Sequence, residues 1–309
     1  MGLAHWDEVD VRRHEKGEMA ATWRLLGRAA GTVGVGVNRV RIEPGRLSTP
    51  PHSHSVSEEI FFVLAGTGQS WQDETVYDVR AGDCIVHVAD REEHTLRGGP
   101  DGLDVLVFGT RHGSEFGWLP RSGAMRFGWP WVEGRTDDPW EIEATSEPLD
   151  FSTISPRPPT IVNVDECPDY PEEIHSKELA GTAGSVRAGL NWLELRAGQH
   201  SSVPHCHSLE EEIFVVLDGT GTLELWPAPR SDARRENVAI RAGHVVARPP
   251  GTRVGHRVAA GPDGMTVLVY GTREPNDISY YPRSGKVFLR GVGVLGRIEQ
   301  LDYLDGEED

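Results

Sequence analysis

His52 and His54 stand two residues apart and are followed by Glu59, and the same spacing returns at His205, His207 and Glu212. Imidazole nitrogens and a carboxylate oxygen are donors for a divalent transition metal. On an extended strand, residues i and i+2 project from one face, so each His-x-His pair can reach a single ion. A further histidine follows in each stretch, His94 in the first and His256 in the second, with His87 competing for the fourth place in the first. Such a set supplies Lewis acidity and open coordination positions, the requirements for chemistry on a small oxygen-bearing substrate. No catalytic group beyond the ligands is assigned.

These residues must be positioned by something, and the chain supplies it twice. The segment GRLSTPPHSHSVSEEIFFVLAGTG from Gly45 recurs as GQHSSVPHCHSLEEEIFVVLDGTG from Gly198, shifted by 153 positions without a gap. Ala81-Gly82 then matches Ala242-Gly243 at a shift of 161, after an insertion in the second copy from Trp226 to Glu236. From His94 the shift is 162, carrying Gly109-Thr110-Arg111 onto Gly271-Thr272-Arg273 and Pro120-Arg121-Ser122-Gly123 onto Pro282-Arg283-Ser284-Gly285. The repeating unit of roughly 100 residues is domain-sized.

Within each copy the periodicity is that of strands. Val35 to Ile42 alternates apolar and polar residues, while Ile60 to Leu64, Ile213 to Leu217 and Thr266 to Tyr270 are short runs rich in β-branched and aromatic side chains. Glycine turns punctuate them, and the predicted class is all-β, a sandwich or barrel of many short strands. The expected organisation is an N-terminal arm at 1–24, a first domain at 25–125, a linker at 126–160, and a second domain at 161–309 ending in an acidic tail. Trp129, Trp131 and Trp140 imply that part of the linker packs on a barrel, leaving the run SPRPPT from Ser155 as an exposed joint. Alternation turns Cys206, Glu58 and Glu211 away from the ligand face, giving a packed thiol and two carboxylates outside the first coordination sphere.

Among 309 residues, 31 Lys and Arg against 48 Asp and Glu leave a formal charge of -17, which repels nucleic acid and anionic membranes. No apolar stretch is long enough to span a bilayer, and acids at Asp7, Glu8 and Asp10 spoil a signal-peptide reading of the start. Three scattered cysteines form no disulfide framework. The expectation is a cytoplasmic protein with a small-molecule substrate, no nucleic-acid or membrane partner, and room for homodimer formation.

Each copy resembles a cupin, and the chain a bicupin. The first cupin motif is met by Gly45, His52, His54, Glu59 and Gly66, and again by Gly198, His205, His207, Glu212 and Gly219. The second appears as Gly243, Pro249, Gly251 and His256, whereas the first copy has Val88-Ala89-Asp90 in place of Pro-x-Gly. The resemblance implies two tandem jelly-roll (double-stranded β-helix) barrels, each holding Fe, Mn, Zn, Ni or Co by three histidines and one glutamate. It further implies a metal-dependent enzyme, with a dioxygenase-type oxidoreductase of a small organic or aromatic substrate placed first. A metal-dependent isomerase, lyase or decarboxylase, or a non-enzymatic sensing bicupin, stand as alternatives.

Overall fold

The apolar runs are apolar on both sides because each strand separates two cores. In a computed structural model, which describes residues 2–90, 92–127, 138–170, 174–299 and 301–307, Phe61 and Val63 face the interior of the first half. Ile60 and Phe62 face a second core shared between the halves. Phe214 and Val216 line the interior of the second half, and Ile213 and Val215 join the shared core. That shared core also contains the Phe108 and Tyr270 rings, repeat equivalents that stack across it at 5.1 Å. A strand buried on both faces has no polar side to show, which is why these runs lose their alternation.

Each half is a jelly roll of one large and one small antiparallel sheet. The large sheet of the first half runs in the order Asp83–His87, Glu59–Gln72, His94–Thr110, Val35–Ile42, Met19–Arg24, Val11–Lys16. Its counterpart in the second half runs His244–Arg248, Glu212–Pro227, Val254–Thr272, Ala188–Leu195, His175–Glu178. The small sheets pair Ser53–His54 with Phe116–Leu119 and Cys206–His207 with Ile278–Tyr281. The glycine closing each first motif is required sterically. A Cβ at Gly66 would sit 2.3 Å from the carbonyl oxygen of Gly102, and at Gly219 the same distance from that of Gly264.

Sheet membership does not follow the expected division at residues 24/25 and 160/161. Gly2–His5 pairs with His244–Arg248 of the second half, and Ile161–Asn163 pairs with Asp83–His87 of the first. Each half thus lends its leading strand to the other, covering an edge whose backbone groups would otherwise lie unpaired. Alternation in a sequence shows which face a strand buries but not which sheet it joins. Residues Val11–Lys16 and Met19–Arg24, expected in an arm, extend the first large sheet.

The halves are also cross-linked by carboxylates. Glu58, 2% exposed, accepts hydrogen bonds from Ser185 Oγ and the backbone N–H of Val186 and Arg187. Glu211, also 2% exposed, accepts from the backbone N–H of Val33, Gly34 and Val35. These two repeat equivalents turn from the ligand face, as alternation requires, and clamp the opposite half.

Part of the linker packs as expected. The helix Pro139–Ala144 buries Glu143, which accepts from the backbone N–H of Ser122, and Lys16 bridges Asp138 and Glu141. The proline run is not a free joint. Ser155 donates its N–H to Val76, and Arg157 makes a two-pronged pair with the fully buried Asp83 at 2.9 and 2.7 Å. A buried carboxylate demands such a partner, and only the fold brings it there. Trp129 and Trp131 lie outside the described residues.

Candidate metal centres

In the first half the four expected donors converge. Glu59 opens one central strand and His94 opens its neighbour, while His52 bridges to His94 and His54 lies on the small sheet above. Nε2 of His94, His52 and His54 stand 3.2, 3.6 and 3.5 Å from the Glu59 carboxylate, and all four donor atoms lie within 4.8 Å of one another. The other ring nitrogens of His52 and His94 are engaged elsewhere. Nδ1 of His52 is 3.0 Å from the Pro50 carbonyl, and that of His94 is 3.0 Å from the Glu92 carbonyl. A carbonyl accepts only from N–H, so these contacts fix the tautomer that directs an Nε2 lone pair inward.

The second half repeats the arrangement. Nε2 of His256, His207 and His205 lie 2.6, 3.4 and 3.7 Å from the Glu212 carboxylate. His205 places Nδ1 2.8 Å from the Val203 carbonyl. His205, Glu212 and His256 form the tight group, and His207 leans toward Glu210 and Asp277. Nε2 of both His54 and His207 is buried without a hydrogen-bond partner. Orphaned imidazole nitrogens facing a carboxylate and two further imidazoles are a donor set that fits a divalent transition cation.

Electrostatics distinguish the donors. Burial disfavours charge on His54, but Glu59 and Glu115 outweigh it and raise the imidazole to about 10. His207 reaches about 10 likewise, burial being overcome by the adjacent carboxylates of Asp277 and Glu212. Burial pushes His94 down to about 3 and His256 to about 4. Burial works to raise Glu59 and Glu212, yet the surrounding imidazoles hold both well below the usual carboxylate range. In each half, therefore, one imidazole carries a proton that a metal must displace, and at least one is already neutral.

His94, not His87, completes the first group. His87 lies behind it, its ring stacked on His94 at 3.9 Å, with Nδ1 bonded to Glu92. The missing Pro-x-Gly does not disturb this. Asp90 adopts the left-handed backbone (φ 88°) that Gly251 uses in the second half (φ 69°). Its N–H reaches the carbonyl of His54 as that of Gly251 reaches His207.

One pair of residues escaped the sequence reading. Glu115 lies 3.4 Å from Nδ1 of His54 and also accepts from the N–H of Ser55 and Ser57. Asp277 lies 2.6 Å from Nδ1 of His207 and accepts from the N–H of Ser208 and Leu209. Glu115 is held at about 2, and Asp277 is pulled below the usual aspartate range; burial opposes both, and the histidine and serine or backbone donors prevail. The signal was present: the two acids fall in register at the 162 shift. Cys206 packs in the core as expected, 7% exposed with Sγ toward the Tyr280 carbonyl. Arg97 lies over the Phe151 ring, and Arg257 pairs with Glu224.

Comparison with known proteins agrees with this architecture. The family described as "Cupin domain" matches residues 38–103. The chain is similar to an oxalate decarboxylase from Lactobacillus farciminis in a formate complex, with TM-score 0.60 and 14% identity over 90% of this chain and 88% of that one. It is similar also to Bacillus subtilis oxalate decarboxylase OxdC. A deletion mutant of that protein gives TM-score 0.58 and 14% identity over 87% and 76% of the two chains. Another structure of the B. subtilis protein, described by its Mn(II) centres, gives 0.59 and 15% over 90% and 79%. No match to this sequence is found among the curated proteins. Residues 38–103 match the cupin domain family, and the chain as a whole shares the fold of those decarboxylases, two jelly rolls in tandem. Among the described residues no helix is long and apolar enough to cross a membrane.

Proposed function

We propose that this bicupin is a metal-dependent enzyme acting on a small organic substrate. One divalent cation is held in each half, by His52, His54, Glu59 and His94 and by His205, His207, Glu212 and His256. The observation that carries the reading is the duplicated convergence of three imidazoles on one partly buried carboxylate, with an unpartnered Nε2 in each set. When bound, such a cation supplies Lewis acidity at positions the protein leaves open. The chain's own residues orient the donors: Glu115 and Asp277 face one histidine each, and backbone carbonyls fix others. The surrounding jelly-roll interior restricts water.

For the reaction class, the fold likeness favours redox-neutral chemistry of the lyase or decarboxylase kind over dioxygenase-type oxidation, because the similar structures are oxalate decarboxylases. Three buried free cysteines accord with a reducing cytoplasm. The test is metal analysis of the purified chain, followed by a screen of small carboxylates and phenols for CO2 release and oxygen uptake. Two equivalents of metal and metal-dependent turnover without oxygen uptake are expected. Oxygen uptake in step with turnover would return the dioxygenase-type oxidoreductase. A chain that takes up no transition metal at either set would overturn the enzyme reading.

A further inference from the structure

The ligand carboxylates have cross-strand partners that differ between the halves. Glu59 pairs with His87, and Glu212 pairs with Arg248. Residues directly opposite on antiparallel strands share a face, so both partners point into the jelly-roll interior beside the donors. His87 is engaged locally by Glu92. Arg248 has no such partner. It is 5% exposed, with one Nη2 contact of 2.8 Å to the Val254 carbonyl and a long 3.5 Å contact to Thr252. Its Nε is buried without a partner, and among the described residues it forms no ion pair, the Glu212 carboxylate opposite acting on it only at longer range. A guanidinium carries five donors and stays charged, and leaving it buried and unpaired is costly unless a ligand completes it.

Arg248 also lines a cleft. Its walls are the Trp226–Glu236 insertion, the turn after Arg248, the lent strand Gly2–His5 and the first half's helix Leu26–Ala30. The lining combines Leu225 and Val254 with Arg234, Arg235 and Glu236 of the insertion. A second cleft bears Arg80, Arg97 and Arg157, but there Arg157 is neutralised by Asp83 and Arg80 by Asp165 and Glu166. Of the two clefts, a buried arginine that forms no ion pair among the described residues belongs to that of the second half, the half with the insertion.

We infer that this cleft binds a small monocarboxylate with an apolar body, its carboxylate taken by Arg248 and its body lying against Leu225 and Val254. A guanidinium meets a carboxylate through two parallel hydrogen bonds, and in a water-poor setting these are strong enough to select the anion over a neutral isostere. The inference stands beside the proposed metal chemistry and does not require it. Isothermal titration of the full-length chain with benzoate and with benzamide tests it. Benzoate should bind at least tenfold more tightly than benzamide. The preference should persist in His205→Ala, which lacks part of the second donor set. It should vanish in Arg248→Met, whose metal content at both centres should match the wild type as a check on folding. Arg248→Lys, keeping the charge but losing the fork, should retain part of it. Equal affinity for the two probes, absence of benzoate binding, or a preference that survives Arg248→Met would overturn the assignment. Should Arg248→Met lose its metal, the wild-type probe comparison and the lysine variant decide.

Discussion

The two halves hold the same four donors and surround them differently. Opposite the candidate ligand carboxylate the first half places His87, tied to Glu92, and the second places Arg248, which forms no ion pair among the described residues. The interior strand beside His94 carries the buried polar pair Ser70 and Gln72 in the first half, where the second has Leu223 and Leu225. At the matched position on the small sheet, Leu119 of the first half becomes Tyr281, whose ring lies 6.0 Å from that of His205. Duplication has thus kept the candidate donors and let the surroundings diverge: Ser70, Gln72 and His87 beside them in one half, Leu223, Leu225 and Arg248 in the other. One half can then serve catalysis while its twin serves a different ligand or the stability of the pair.

The most severe way to break this comparison is to remove a donor from one half at a time. Glu59→Ala and Glu212→Ala should each lower bound metal from two equivalents to one, read by elemental analysis; retention of both equivalents in either variant would show that half to be no metal site. Orienting carboxylates come next. Glu115→Gln and Asp277→Asn should each weaken metal at their own centre by roughly 10- to 100-fold. The larger loss is expected for Asp277, whose contact to Nδ1 is 2.6 Å against 3.4 Å for Glu115. Competition with a chromophoric chelator would rank them.

Proton release sharpens the same point. His54 and His207, each raised to about 10 without metal, are protonated at pH 8 and must be neutral to ligate. Metal uptake at about pH 8 should therefore expel about one proton per centre, and affinity should climb as pH rises toward 10. Calorimetry in buffers of different ionisation enthalpy would count those protons, and a pH-independent affinity would refute the linkage.

Smaller effects probe the joint between the halves. Glu58→Gln and Glu211→Gln each remove a buried carboxylate accepting several N–H or O–H donors, and should cost about 1–3 kcal/mol apiece in denaturant unfolding. Near-equal losses are expected from their matching roles. Smallest is Tyr270→Phe, which would make the shared-core stack symmetric with Phe108. The Tyr270 hydroxyl is buried without a partner, so its removal should be neutral or stabilising by about 1 kcal/mol, seen as a slightly raised midpoint.

Much of this protein was legible in its residues. Strand periodicity, the 153- to 162-residue repeat and the spacing of His52, His54, Glu59 and their counterparts reveal two β-structured halves, each with one donor set. These features are local: the i, i+2 geometry of a strand and the tight turn at Gly66 follow from neighbouring residues alone. What tertiary structure decided depends on residues far apart in the chain. The choice of His94 over His87 turned on which imidazole reaches Glu59 across two strands. Contact of Glu115 with His54 joins the loop before Phe116–Leu119 to the strand Ser53–His54, and the clamps from Glu58 and Glu211 join opposite halves of the chain. The exchange of Gly2–His5 and Ile161–Asn163 between sheets is settled by which edge needs covering, a property that exists only once the sheets have formed.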